Sequence, residues 1–172
     1  MPKRTVGLND ILDFNSRFRE YSADKIAHHL DMLSAASVEL VAEARTMGRP
    51  VAFAFSRRTR YSGGKKQPGV PGAQTVELRK GDIANALKVA KKGGSSHQFL
   101  LFVDGDKTYV RAIDPYEAMA LMGMPASYKP LSDPIETLSM CGDGVAVPVV
   151  KFIAERIIEP MLKSLETARA AE

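Results

Sequence analysis

A single cysteine, Cys141, stands in the 172 residues. No disulfide framework can form within the chain, and a reducing, cytoplasmic setting is the expectation. Long apolar runs are lacking as well, since none approaches the ~20 residues that carry a helix across a bilayer. The opening Met1-Pro2-Lys3-Arg4 leads into no continuous apolar stretch, so no secretory signal is expected. There are three histidines. His28 and His29 have no acidic or cysteine partners at ligand spacing, so they read as helix-surface residues and no metal is expected. What the chain does have is 45% hydrophobic content and a net charge of only +4, which exclude whole-chain disorder. The length suits one domain, with or without a small appendage, and can bury a real core. These features read as a soluble intracellular protein with no membrane partner.

The modest net charge hides an asymmetry. Between Arg57 and Lys92 ten basic residues face only Glu77 and Asp82, a local net of +8, while the rest of the chain sums to −4. A basic segment on a mildly acidic body is the footprint of a polyanion binder, although a solvated Lys/Arg-rich loop has the same composition.

Periodicity organises the rest. Ile26, Leu30, Leu33, Val38, Leu40 and Val41 recur at roughly helical spacing between Ser22 and Gly48, and Ser34 to Ser37 can divide that segment into two helices. Gly48 and Pro50 end it. Val51 to Phe55 alternates as a strand and runs into Ser56-Arg57-Arg58-Thr59-Arg60. Tyr61 to Gln74, with four Gly and two Pro, reads as a long loop. Gln74 to Leu78 fits a short strand, and Asp82 to Lys91 fits either a short helix or an irregular segment. Gly93-Gly94-Ser95-Ser96 breaks the chain before a hairpin, Gln98 to Val103 and Lys107 to Ile113 about Asp104-Gly105-Asp106. Asp114-Pro115 with Glu117 forms a capping box for a helix that Gly123-Met124-Pro125 stops. A last helix is predicted from about Val147 to Ala168, with Val150, Ile153, Ile157, Met161 and Leu165 on one stripe and a kink at Pro160.

In that order the pieces become recognisable. Arg111-Ala112-Ile113-Asp114-Pro115-Tyr116-Glu117-Ala118, Leu121-Met122-Gly123-Met124-Pro125, Ser127-Tyr128-Lys129 and Gly142-Asp143-Gly144-Val145-Ala146-Val147-Pro148-Val149 resemble the C-terminal end of DNA (cytosine-5) methyltransferases. That family's ninth and tenth motifs read approximately R-x-L-[TS]-P-R-E and G-[ND]-x-V-x-[VP]-x-V. Phe55 to Arg60, the basic loop, Gly81-Asp82-Ile83-Ala84, Leu87 and Gly93 to Ser96 are similar to its target recognition region. The resemblance covers about residues 8 to 160.

The resemblance implies an α+β fold. N-terminal helices (1–50) and a C-terminal helical segment (114–172) would flank a small strand-and-hairpin recognition domain (51–113). The long last helix would pack on a Rossmann-like catalytic domain on another chain. It also implies double-stranded DNA as partner and S-adenosylmethionine as cofactor. Arg57, Arg58, Arg60, Lys65, Lys66, Arg79, Lys80, Lys91 and Lys92 would hold phosphates, and Gly93, Gly94, Ser95, Ser96, His97 and Gln98 would approach base edges. Arg111 and Glu117 would organise the ninth motif. Asp143, Gly144 and Val145 would form one wall of the cofactor pocket.

Two features depart from the family pattern. The family's nucleophile is the thiolate of a Pro-Cys dipeptide, which adds to the cytosine ring; Met140 precedes Cys141 here, and the chain has no Pro-Cys. No catalytic residue is therefore assigned. This is the content of the second chain of a split enzyme, which would need a catalytic chain bearing Pro-Cys. The second departure is Tyr116, where the pattern carries Arg. It supports an alternative: a non-enzymatic DNA-binding regulator or decoy derived from such an enzyme.

Overall fold

The computed structural model describes residues 6–60, 72–87 and 99–170. Helices α1 (Leu8–Ile11), α2 (Ala23–Asp31) and α3 (Ala35–Arg45) precede strands β1 (Val51–Arg60), β2 (Ala73–Leu78), β3 (Phe99–Asp104) and β4 (Lys107–Ala112). Helices α4 (Pro115–Leu121), α5 (Pro134–Asp143), α6 (Val147–Ile153) and α7 (Glu159–Ala170) follow. The strands form one antiparallel sheet in the order β2-β1-β3-β4, so the protein is α+β.

Alternation of side chains along the strands supplies two different faces. One presents Val51, Phe53, Phe55, Val76, Leu78, Leu101, Val103 and Val110 to Val41 and Ala44 of α3, with Ile26, Leu30 and Leu33 alongside. The other presents Ala52, Ala54, Leu100 and Phe102 to Leu8 and Leu12, to Ala118, Met119 and Met122 at α4, and to Leu138 and Cys141 of α5. The alanines make room for α1. Asn9 reaches the sheet there, donating from Nδ2 to Ala52 O at 3.2 Å and accepting from Ala52 N at 2.8 Å.

Both sheet edges are covered by the N-terminal segment. Tyr21 N donates to Val110 O at 2.7 Å and Ala112 N to Arg19 O at 3.3 Å, closing the β4 edge. At the β2 edge Val76 N donates to Met32 O at 2.8 Å, Ser34 N to Val76 O at 3.0 Å, and Leu78 N to Ser37 Oγ at 2.9 Å. Groups that would otherwise offer a template for another strand are thereby satisfied.

Several local expectations hold, and others change. Ser34 caps α3 and divides the first helical segment from the second, and Gly48 takes the left-handed conformation that ends it, φ +63°. Residues 56–60, expected only to follow the first strand, belong to β1. Among the described residues that half of β1 pairs with β2, which makes the two a ribbon there. Residues 82–87 are irregular. Gly142 and Asp143 are not a turn before the last helix. They complete α5, which Asp133 caps by accepting from Ile135 N at 2.7 Å, and the chain turns at Gly144 to Ala146 instead.

Just before Pro160, where a kink is expected, a π turn, Ala154–Ile158, joins α6 to α7, with Glu159 N donating five residues back to Ala154 O. Pro160 has no N–H and its ring crowds the carbonyl four residues earlier, so a widened turn lets the rod continue. Contrary to the reading of the sequence, an 18-residue window between Pro134 and Arg169 is apolar enough, by length and composition, to match a membrane span. A window that meets this test must cross the break at Gly144 to Ala146. The rod beyond it carries Lys151, Glu155, Arg156, Glu159 and Lys163.

Gly123 sets the start of that rod. Its φ is +71°, a Cβ there would lie 2.5 Å from Pro148 Cδ, and beside it Val147 N donates to Met122 O at 2.9 Å. Gly123→Ala combines left-handed strain with overlap against a rigid ring, and it is expected to cost about 2–4 kcal/mol in urea unfolding.

Candidate nucleic-acid interface and partner face

Arg111 ends a strand whose side chains alternate toward the α4 face, and Glu117 lies one helical turn beyond the Asp114 cap. Burial leaves them 0% and 3% exposed, so their charges must be met internally. Arg111 Nη1 donates to Glu117 Oε2 at 2.8 Å and Nη2 to Oε1 at 2.6 Å, a bidentate pair. The remaining capacity ties three segments together. Arg111 donates to Ala112 O and to Asp13 O, while Glu117 accepts from Asp13 N and Asp114 N, both at 2.8 Å. The guanidinium also lies over the Phe102 ring, 4.6 Å from its centroid. These two residues therefore join β4, the α4 cap and the N-terminal segment at one buried point.

The basic residues fall into three groups. Arg57, Arg58 and Arg60 lie on the β1–β2 ribbon opposite Val76, Thr75 and Ala73. A two-stranded ribbon is one of the shapes a DNA major groove admits. Arg79 and Lys80 are exposed just past the end of β2, and Arg79 Nε donates to Asn85 Oδ1 at 2.7 Å, so this arginine is partly engaged within the protein. Lys65, Lys66, Lys91, Lys92 and the segment Gly93, Gly94, Ser95, Ser96, His97 and Gln98 lie outside the described residues.

Asn9 and Asn85, which the sequence did not single out, and Asp82, noted there only within a motif resemblance, hold the segment between these groups. Asn85 Nδ2 donates to Phe55 O at 3.2 Å, and Asp82 accepts from Asn9 N and from Asn9 Nδ2. Gly7 packs so closely on Asp82 that a Cβ would overlap its carboxylate. Spacing carries no signal for a contact of this kind, because Asn9 and Asp82 are 73 residues apart.

Of the cofactor candidates, Asp143 is the exposed last residue of α5, Gly144 is extended at φ −75°, and Val145 is exposed. Gly144 has its own reason to be small, since a Cβ would lie 3.1 Å from Met140 O.

Cys141 is buried on α5 and burial pushes its thiol pKa up, the opposite of what a nucleophile needs. Alkylation by iodoacetamide is therefore expected to be slow in the folded protein, to rise only above the pH at which free thiols react, and to become rapid on denaturation. Among the described residues no group of three or more His, Cys, Asp or Glu is arranged to hold a metal ion.

The last rod has a face without a floor. Val150, Phe152, Ile153, Ile157, Ile158, Met161, Leu162 and Leu165 are between 41% and 62% exposed. Val150, Ile153, Ile157, Met161 and Leu165 recur at helical spacing along one stripe, with Lys151, Glu155, Glu159 and Lys163 four residues apart beside it. A contiguous apolar surface of this kind marks an interaction site.

Comparison with curated proteins gives no match, and comparison with solved structures gives none. The model of one family, described as C-5 cytosine-specific DNA methylase, matches residues 5–159, from the first helix through the π turn. With the match spanning nearly the whole chain, this protein belongs to the C-5 cytosine-specific DNA methylases.

Proposed function

We propose that this chain is the DNA target-recognition subunit of a two-chain, S-adenosylmethionine-dependent cytosine-5 methyltransferase, and that a separate chain carries the Pro-Cys nucleophile. The observation that carries the reading is the uncovered apolar face of α6–α7 on a chain of this family that has no Pro-Cys of its own. In this arrangement residues 51–113 face the duplex and the α6–α7 rod seats on the catalytic chain. S-adenosylmethionine, when bound, supplies the methyl group. Asp143 and Val145 would hold it from this side by hydrogen bonding and apolar contact.

The ribbon arginines Arg57, Arg58 and Arg60, together with Lys65, Lys66, Arg79, Lys80, Lys91 and Lys92, would neutralise phosphates. Gly93 to Gln98 would read the bases, and the clamp would hold the duplex while the target cytosine leaves the stack. Phosphate contacts release counterions, so replacing Arg57 and Arg58 with alanine is expected to flatten the log–log salt dependence of DNA affinity by about 2. Fluorescence anisotropy at a series of salt concentrations measures it.

The decisive experiment is co-expression with a chain bearing Pro-Cys, followed by transfer of labelled methyl from S-adenosylmethionine to DNA. Label on cytosine only with both chains present is the expected result. A mixture that binds cofactor and DNA yet never methylates would replace this reading with the regulator or decoy, which Tyr116 favours.

A further inference from the structure

Beside α4 lies a concave site of about 410 Å³, and Tyr116 and Tyr128 line it with 61% and 62% of their surface in solvent. Asp13 and Asp114 belong to the same lining. Asp13 accepts from Asn15 N, and Asp114 accepts from Tyr116 N and Ser16 Oγ. Neither carboxylate has an ion-pair partner among the described residues, whose salt bridges lie elsewhere. Glu117, the third acid in the lining, is already neutralised by Arg111. The site therefore combines two uncompensated negative charges with two open aromatic side chains.

That combination selects against anions and favours a cation, which gains both from the carboxylates and from the negative face of a ring. Position 116 sharpens the point. Tyr116, whose N–H Asp114 accepts, brings a π surface and no positive charge to the site, so the cation has to come from outside.

We infer that this site takes the cationic side chain of an arginine or lysine presented by the catalytic partner; the identity of that source rests on the two-chain reading. The occupant is a side chain rather than a free metabolite, because the lining runs from α4 to Met124 and Pro125, next to Gly123, on which Pro148 at the start of the rod packs.

The chemistry is tested on the full chain alone by titrating N-acetyl-arginine amide and following backbone amides by NMR. Saturable shifts at Ala120 and Ala126, with a Kd on the order of 1 mM, are expected. N-acetyl-citrulline amide, the neutral isostere, should bind at least tenfold more weakly. Tyr116→Arg should abolish the shifts, while Tyr116→Phe should retain them. Equal binding of citrulline, or no saturable shift with arginine, overturns the inference. The source is tested separately, because Tyr116→Arg should weaken assembly with the catalytic chain at least tenfold. Unchanged assembly would overturn the partner as source. Failure of methyl transfer with intact arginine binding would strike the two-chain reading and leave the pocket chemistry standing.

Discussion

Arg111→Ala is expected to cost about 3–5 kcal/mol, a large share of the roughly 5–15 kcal/mol that holds a domain folded. The loss is large because the deletion strands Glu117 rather than merely removing a contact. Its carboxylate is 3% exposed and would have to remain charged without its guanidinium, or take up a proton. It would keep the N–H groups of Asp13 and Asp114, which is why Glu117→Gln should be milder than Glu117→Ala. Arg111→Lys is not conservative here, since an ammonium cannot span both carboxylate oxygens and also reach Asp13 O. It should recover less than half of the loss. Removing both charges, as in Arg111→Met with Glu117→Gln, should be less damaging than the sum of the single changes. Urea denaturation of the four species yields the coupling, expected to exceed about 2 kcal/mol. Additivity within about 0.5 kcal/mol would show that the pair is not the joint described above.

Ile157→Asp combined with Met161→Asp is expected to reverse the behaviour of the isolated chain and destroy the assembled one. Both side chains are more than half exposed on the α6–α7 rod, so neither change removes core packing, and thermal unfolding should move little. The chain alone should become less prone to self-association, as the apolar face is interrupted by charge. With the catalytic chain, two carboxylates would be buried unpaired at the interface. A penalty of about 2 kcal/mol or more at each position corresponds to a loss of several hundredfold in assembly or more. Methyl transfer at limiting concentration should fall with it, whereas DNA affinity of this chain should not change. Analytical ultracentrifugation with and without the partner separates these outcomes. Full assembly by the double variant would remove the rod from the interface.

Elements with a strong local signal were legible in the sequence. The Asp114 capping box, the Ser34 break and the hairpin about Gly105 each depend on residues within a few positions of one another. Helix α5 was not seen because its buried residues, Thr137, Leu138 and Cys141, include only one large apolar side chain, and Gly142 and Gly144 suggested a turn. The π turn escaped because Pro160 has more than one way to be accommodated. The site divides along the same line. Arg111 and Glu117 were found through motif resemblance, but the reason they matter, bonds to Asp13 across 98 and 104 residues, belongs to tertiary structure. Asn9 and Asn85 had no signal at all, and Asp82 was noticed only within a motif resemblance, since each is an ordinary polar residue until the fold brings its partner near.

The N-terminal strap has a consequence for how the protein is made. Residues 6–48 are made before the rest of the fold, yet Phe14 waits for Tyr109 and Asp13 for Glu117, 95 and 104 positions later. The strap can meet the β2 edge once residues 73–78 are made, but the β4 edge that it also covers exists only after the hairpin of β3 and β4 has been synthesised. Closure of the fold by the strap is therefore late, and the long-range pairing makes it slow. Until then the β4 edge stands unprotected. Production should accordingly respond to slower synthesis, lower temperature and a holdase chaperone.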